Sequence, residues 1–243
     1  MDRRIIWAAG LIGAGALAGY TFARMREPPF APLPGPSLGV PSSIGPFIVV
    51  NTSSVTIRDA TRVVAYLSNY AGQRVVLLLH TLGGALAPVV QIVRAVQRHG
   101  NVAAWVPFYA LSGGTLIALA ARDVFLWPDA SLGPVDPQIG PFSASAWISV
   151  PKSKPIKDVE DDSLRFAHEA QKAVDKTVLL TRELVNNEAA VKRLVSGTTP
   201  HSFPIGFREA AELGLPVKLA PQSPLMWALA RRALKSGGCS CLG

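Results

Sequence analysis

A serine followed by two glycines lies near the middle of the chain, in the stretch YALSGGTLIALAA, residues 109–121. Ser112 precedes an apolar run of helical type, so its hydroxyl either caps that helix or acts as a nucleophile. A helix N-terminus carries free N–H groups and the positive end of the helix dipole, and both favour negative charge. The stretch alone does not decide between a cap and a nucleophile.

A second glycine pair, Gly83 and Gly84, follows an apolar strand-like run in LLLHTLGGALAP. Glycine lets the backbone turn sharply and leaves the amides unblocked by side chains. Two amides, those of Gly83 and Gly113, are therefore candidates for an oxyanion hole, in which each donor contributes about 3 kcal/mol. Two tight turns or a phosphate site are the alternatives. The chain has neither a P-loop lysine nor G-x-G-x-x-G spacing at these turns, which argues against nucleotide binding.

Alternating apolar runs indicate the elements that must position these turns. Three continuous apolar runs are typical of strands: FIVVN, RVVLLLH and NVAAWVPF. Between them lie two segments whose apolar residues have helical spacing, IRDATRVVAYLSNY and APVVQIVRAVQRHG. This rhythm predicts an α/β fold with a mainly parallel sheet. A long helix is predicted from about Asp161 to Asn186. A segment rich in Pro, Ser and Gly, residues 133–158, contains the strand-like FSASAWISV. This piece either edges a groove for an extended peptide or packs against a neighbouring subunit.

The first residues differ in composition from the rest. Ile5 to Ala23 is an uncharged run of 19 residues, close to the ~20 that cross a bilayer as a helix. The pattern favours a single-pass membrane anchor over residues 1–26, in contact with lipid through residues 5–23, rather than a cleaved signal peptide. Arginines flank both ends, so the orientation stays undecided. A Pro-rich spacer is predicted at 27–46, the folded domain at 47–222, and a C-terminal helix with a flexible tail at 223–243.

The composition argues against nucleic-acid binding and favours contact with a membrane. Charged residues make up 16% of the 243 residues, below the roughly 25% of a usual soluble domain. The net charge of +8 is scattered along the chain, which argues against nucleic-acid binding and favours attraction to anionic lipid. The two cysteines, Cys239 and Cys241, lie in the tail, so no disulfide framework is expected.

Three separated motifs occur in order over about residues 47–220. They are HTLGG, then FYALSGGTLIALAARDVFLWPDASLGPVDPQIG, then TTPHSFPI with REAAELGLPV. In these motifs the chain resembles the serine dehydrogenase proteinase family, membrane-associated serine peptidases of the ClpP/crotonase superfamily that are related to signal peptide peptidase A. The resemblance implies a ClpP/crotonase-like core of repeated ββα units, homo-oligomers, and a serine peptidase without metal or other cofactor. It implies that Ser112 is the nucleophile and that Gly83 supplies an oxyanion amide. A non-proteolytic acyl-thioester enzyme and a catalytically silent membrane scaffold are the rival functions.

The general base is the least determined part of this site. The chain has four histidines, His80, His99, His168 and His201. None of them falls where ClpP keeps its histidine, in the strand after the nucleophile helix. That place falls near Asp136, which either orients a base or is a turn residue before Pro137.

Relatives of the signal-peptide-peptidase type use a lysine base, and a lysine is neutral near pH 7 only if it is desolvated or close to another cation. Lys152 and Lys172 are the two candidates, and the resemblance favours Lys172, which shares a helix face with His168. The alternative for either lysine is a solvated surface cation. The resemblance therefore implies a Ser112–Lys172 dyad, and the predicted anchor indicates membrane proteins or hydrophobic peptides as its substrates.

Overall fold

The computed structural model describes residues 45–221, 223–236 and 238–242. The first half contains β1 (Phe47–Thr52), α1 (Ile57–Asn69), β2 (Val75–Thr81), α2 (Leu86–His99), β3 (Val102–Val106), β4 (Tyr109–Ala110), α3 (Gly113–Leu119), β5 (Asp123–Leu126) and β6 (Ser131–Leu132). The second half contains β7 (Gln138–Ile139), β8 (Phe142–Ser143), α4 (Ala144–Ser153), a 3₁₀ turn (Ile156–Asp158), α5 (Asp161–Leu184), α6 (Glu188–Val195), β9 (Ile205–Gly206), α7 (Phe207–Glu212), β10 (Val217–Leu219), α8 (Pro224–Ser236) and β11 (Gly238–Leu242).

A mainly parallel sheet organises the fold. Its strands run in the order β10-β5-β3-β2-β4-β6-β9, and β1 pairs with β2 and β11. Only β9 and β11 pair antiparallel with their neighbours in this sheet as far as the structure describes it. The continuous apolar runs of β1 and β2 are almost wholly buried, as expected for parallel strands that are covered on both faces. The predicted α/β fold is confirmed.

Local signals in the sequence set the ends of the first helices. Helix α1 begins at a capping box in which Thr56 and Asp59 satisfy each other's backbone amides. Helix α2 ends at Gly100, which adopts the left-handed conformation with φ 72°. Both helices bury one apolar face, including Val63 and Ile92.

Two segments differ from their predicted structure. The strand-like FSASAWISV forms the second strand of a short hairpin, β7–β8, followed by helix α4, because Ser143 accepts a hydrogen bond from the Ala146 amide and caps the helix. The C-terminal tail, for which the sequence predicts a flexible end, forms β11, in which Cys239 lies opposite Val50 and Cys241 opposite Ile48.

The predicted anchor, residues 1–26, and residues 27–44 of the predicted spacer lie outside the described residues. Within the part of the chain that the structure describes, no helix combines the length and the apolar character needed to cross a membrane.

Candidate active site

Ser112 has a backbone conformation that is rare for a residue with a side chain. Its φ of 51° and ψ of −121° match the first central position of a type II′ turn, where glycine dominates. It is the one non-glycine residue with positive φ in the described ranges. Such a conformation costs about 1–3 kcal/mol and persists where the surroundings enforce it, often at functional sites.

The hydroxyl of Ser112 does not serve as a helix cap. Ser112 occupies the N-cap position of α3, but its side chain makes no capping hydrogen bond. Its carbonyl instead accepts the Thr115 amide at 2.9 Å, and Gly114 N–H donates to the Leu111 carbonyl at 2.7 Å. The helix therefore begins without using the serine oxygen, and of the two interpretations of Ser112 the geometry favours the nucleophile.

The glycine turn after β2 packs directly on Ser112. A Cβ atom added to Gly83 would lie 2.7 Å from the Ser112 Cβ and 3.0 Å from the Gly113 nitrogen. Gly83 also has a φ of 113°, so both space and backbone conformation require glycine there. The structure thus brings together Ser112, Gly83 and Gly113, three of the four residues that were proposed for the site.

The two predicted oxyanion amides differ in their hydrogen bonds. The Gly83 N–H donates to Thr81 Oγ1 at 3.1 Å, and the Gly83 carbonyl accepts the Val55 amide at 2.6 Å. Among the described residues no acceptor is bonded to the Gly113 amide. Gly113 N–H is therefore free to meet an oxyanion, whereas Gly83 N–H must first leave the Thr81 hydroxyl.

A buried threonine joins helix α3 to the segment that follows β6. Thr115 Oγ1 lies 2.8 Å from the Ala110 carbonyl oxygen and 2.9 Å from that of Gly133, and it accepts the Gly133 amide at 3.0 Å. The side chain is fully buried. These contacts fix the start of GPVDP relative to the serine turn.

Asp136 and His201 form a pair that sequence reasoning did not join. Asp136 is 2% exposed, and its Oδ1 lies 2.8 Å from His201 Nδ1. Its Oδ2 accepts a hydrogen bond from Gln138 Nε2 at 2.8 Å. The His201 side chain is 30% exposed, so a buried carboxylate holds an imidazole that still reaches solvent.

Strand pairing brings this pair to the same end of the sheet as Ser112. Strand β6 runs parallel to β4, and Leu132 lies opposite Ala110. Ser112 follows β4 and Asp136 follows β6, so both residues lie beyond the carboxyl ends of these strands, at the same end of the sheet. Strand β9 is antiparallel to β6 with Ile205 opposite Leu132. The residues before Ile205, which include His201, therefore lie at that end as well.

The predicted lysine base has the surroundings of a surface residue. Lys172 Nζ donates to the Glu169 carboxylate at 2.7 Å, and its side chain is 56% exposed. The Lys172 ammonium lowers the pKa of Glu169, chiefly through that hydrogen bond. In this structure the contact of Lys172 is with Glu169 and not with Ser112. Lys152 is also exposed and lies on α4.

The remaining histidines have other surroundings. His80 packs on Tyr109, with ring centroids 4.1 Å apart, and its Nδ1 lies 3.2 Å from Asn51 Oδ1. Burial lowers the pKa of His80. His99 Nε2 lies 3.0 Å from the Tyr70 carbonyl oxygen, and His168 is exposed. In the described ranges no three His, Cys, Asp or Glu side chains are grouped so as to hold a metal ion.

Known proteins match this chain in sequence and in fold. Residues 42–224 match the family described as ClpP-like SDH-type serine proteinases. An uncharacterized protein of Methanocaldococcus jannaschii is 33% identical over 184 residues, which are 72% of this chain and 64% of that protein. A second uncharacterized protein of the same organism is 34% identical over 149 residues, 58% of this chain and 51% of that protein. The chain thus spans between half and two thirds of the length of these relatives.

A solved structure shares the fold at low sequence identity. A point mutant of ClpP1 from Listeria monocytogenes superposes with a TM-score of 0.51 at 15% identity, over 72% of this chain and 91% of that chain. The ClpP-like core that the sequence predicted is therefore confirmed.

Proposed function

We propose that this chain, which belongs to the family of ClpP-like SDH-type serine proteinases, hydrolyses peptide bonds with Ser112 as the nucleophile. The observation that carries the proposal is the geometry of Ser112. This residue has a strained backbone conformation, its hydroxyl caps no helix, and it packs against the Gly83 turn. Such a turn places a hydroxyl beyond the carboxyl end of β4, next to the free amide of Gly113, and acyl transfer requires a nucleophile beside such a donor.

In the proposed reaction Ser112 Oγ attacks the scissile carbonyl carbon and the carbonyl oxygen becomes an oxyanion. The Gly113 N–H donates to this oxyanion, and the Gly83 N–H joins it after leaving Thr81 Oγ1. Each such donor contributes about 3 kcal/mol in the transition state. The tetrahedral intermediate then expels the amine, and water releases the acyl group from Ser112 in a second round.

The best-supported proton acceptor is His201. Because the Asp136 carboxylate accepts the Nδ1–H, the lone pair of the neutral ring is at Nε2. Nε2 then takes the proton of the serine hydroxyl and later gives it to the leaving amine, while Asp136 stabilises the imidazolium. Asp136 thereby holds the ring in the tautomer that carries the proton on Nδ1.

Lys172 is the alternative acceptor that the family resemblance favours. A lysine base must be neutral, which needs a desolvated ammonium or a nearby cation. Lys172 would first have to leave Glu169 and become covered. The described surroundings therefore support His201 better than Lys172.

The membrane setting is part of the proposal. The uncharged run at residues 5–23 anchors the protein as a single-pass membrane protein and restricts it to membrane proteins and hydrophobic peptides as substrates. Homo-oligomers are supported by the ClpP-like fold and by large exposed apolar side chains, among them Phe142, Phe166 and Leu179.

Hydrolysis of a quenched fluorescent peptide library by the purified protein tests the function. We expect cleavage by the wild type and none by Ser112→Ala, whose side chain keeps its Cβ. Turnover of acyl thioesters without peptide cleavage would instead favour the acyl-thioester enzyme. The absence of any turnover by the full chain in detergent and in vesicles would favour the silent scaffold.

A further inference from the structure

A cavity of about 490 Å³ lies between α4, α5 and α6. Its apolar wall is formed by Ile148, Val174, Val178, Val191 and Val195. Its cations are Lys152, Lys192 and Arg182. The volume falls in the range of small-molecule and side-chain sites, which combine an apolar lining with a few charged groups.

Two of the three cations in this cavity have no carboxylate partner among the described residues. Arg182 is paired with Glu188, to which both its Nε and its Nη2 donate. No carboxylate among the described residues pairs with Lys152 or Lys192. The cavity therefore offers an apolar wall beside two free ammonium groups, which complements an apolar group that carries a negative charge.

The segment that follows α6 links the cavity to the Asp136–His201 pair. Ser145, which lines the cavity, donates its hydroxyl to the Gly197 carbonyl at 3.2 Å. A Cβ atom added to Gly197 would lie 3.5 Å from Asp136 Oδ2. The segment from Ser196 to His201 thus runs from the cavity to the proposed base.

We propose that this cavity is a substrate subsite that binds an apolar side chain together with a neighbouring carboxylate, which Lys152 and Lys192 hold. This rests on the proposed function, because the occupant is part of the peptide that Ser112 cleaves. The carboxylate belongs either to the C-terminal residue of the substrate or to an Asp or Glu next to the apolar residue. Both sources present the same chemistry to the two lysines.

Matched peptides separate the two sources. One pair differs only in a free or amidated C-terminus, and a second pair, amidated throughout, differs only in Glu or Gln beside a leucine. We expect the negatively charged member of at least one pair to have a KM about tenfold lower at similar kcat. Equal KM values within both pairs would overturn the subsite.

Lys152→Gln/Lys192→Gln is expected to abolish this preference. The matched control is Lys154→Gln/Lys157→Gln, which removes the same charge from exposed positions outside the cavity and should keep the preference. The charge reversal Lys152→Glu/Lys192→Glu should favour a peptide with Lys in place of Glu. A preference that survives both cavity variants, checked to be folded by circular dichroism, would overturn the proposal.

Binding to Ser112→Ala distinguishes this inference from the proposed function. Calorimetric binding of the charged peptide that is lost in Lys152→Gln/Lys192→Gln supports the subsite even if the wild type cleaves nothing. Cleavage without charge preference leaves the function in place and removes the subsite. Lysine-dependent binding of anionic phosphatidylserine vesicles without charge-dependent peptide binding would overturn the subsite in favour of a lipid contact.

Discussion

His201 Nδ1 lies 2.8 Å from Asp136 Oδ1, although 65 residues separate the two along the chain. The carboxylate is buried and also accepts from Gln138, whereas the imidazole is partly exposed. This is the arrangement that holds a histidine in one tautomer with its other nitrogen directed away from the carboxylate.

Asp136→Asn tests that arrangement. The amide keeps the shape of the side chain but no longer stabilises the imidazolium or selects the tautomer, so we expect kcat to fall by on the order of 10⁴. Steady-state kinetics with a fluorescent peptide measure the loss. A rate within about threefold of the wild type would remove Asp136 from the mechanism.

His201→Ala and Lys172→Ala distinguish the two bases. We expect His201→Ala to lower kcat by on the order of 10⁴ or more, because the serine proton has no acceptor. Lys172→Ala loses only an exposed ion pair with Glu169 and should keep its rate. The reverse result would establish the Ser112–Lys172 dyad that the resemblance implied.

Ser112→Gly should stabilise the protein while it abolishes activity. Glycine adopts a φ of 51° with a ψ of −121° without the steric penalty that serine bears. We expect the free energy of unfolding to rise by about 1 kcal/mol. Ser112→Ala, which keeps the Cβ, is the control and should unfold near the wild-type temperature. A glycine variant less stable than the alanine variant would contradict stored strain in the turn, because the entropy that glycine adds to the unfolded chain opposes the gain by at most about 1 kcal/mol.

Gly83→Ala should disrupt the site. The new methyl would lie 2.7 Å from the Ser112 Cβ, and alanine also resists the positive φ, so we expect about 1–3 kcal/mol of destabilisation and loss of turnover. Gly72→Ala is the matched control, because it has a φ of 78° but open space around the added Cβ. It should lose some stability and keep its activity. A fully active Gly83→Ala would contradict the described packing.

The ion pairs of Asp123 should make the free energy of unfolding fall as the solution becomes acidic. The Lys218 ammonium lowers the pKa of Asp123 most and the Arg74 guanidinium lowers it further, while partial burial opposes both. Because the folded pKa is depressed, this stabilisation is present above the unfolded pKa and is lost as the pH falls through the folded pKa. Asp123→Asn should therefore cost about 1 kcal/mol at neutral pH and flatten the acid side of the stability curve, measured by urea unfolding. The same curve for Asp123→Asn and wild type would show that the pair contributes nothing.

Local patterns were enough to predict the α/β rhythm and to single out the two glycine turns and Ser112 as candidates for the site. Each of these depends on residues close together in sequence, as in the strand, glycine pair and helix around Gly83. The resemblance indicates Asp136, but its partner His201 lies 65 residues later, and the antiparallel pairing of β9 with β6, which local patterns do not show, brings it to the same end of the sheet. The helix α4 was missed because apolar residues in FSASAWISV resemble a strand, and the Ser143 cap decides otherwise.

Covalent labelling of Ser112 tests the central claim most directly. The full chain is treated with a fluorophosphonate, digested, and the peptide containing residues 109–121 is analysed by mass spectrometry. We predict one phosphonyl group on Ser112 in the native protein, its loss after denaturation before treatment, and strongly reduced labelling in His201→Ala. Labelling of another hydroxyl, or none in a folded wild-type protein that cleaves peptides, would contradict Ser112 as the nucleophile.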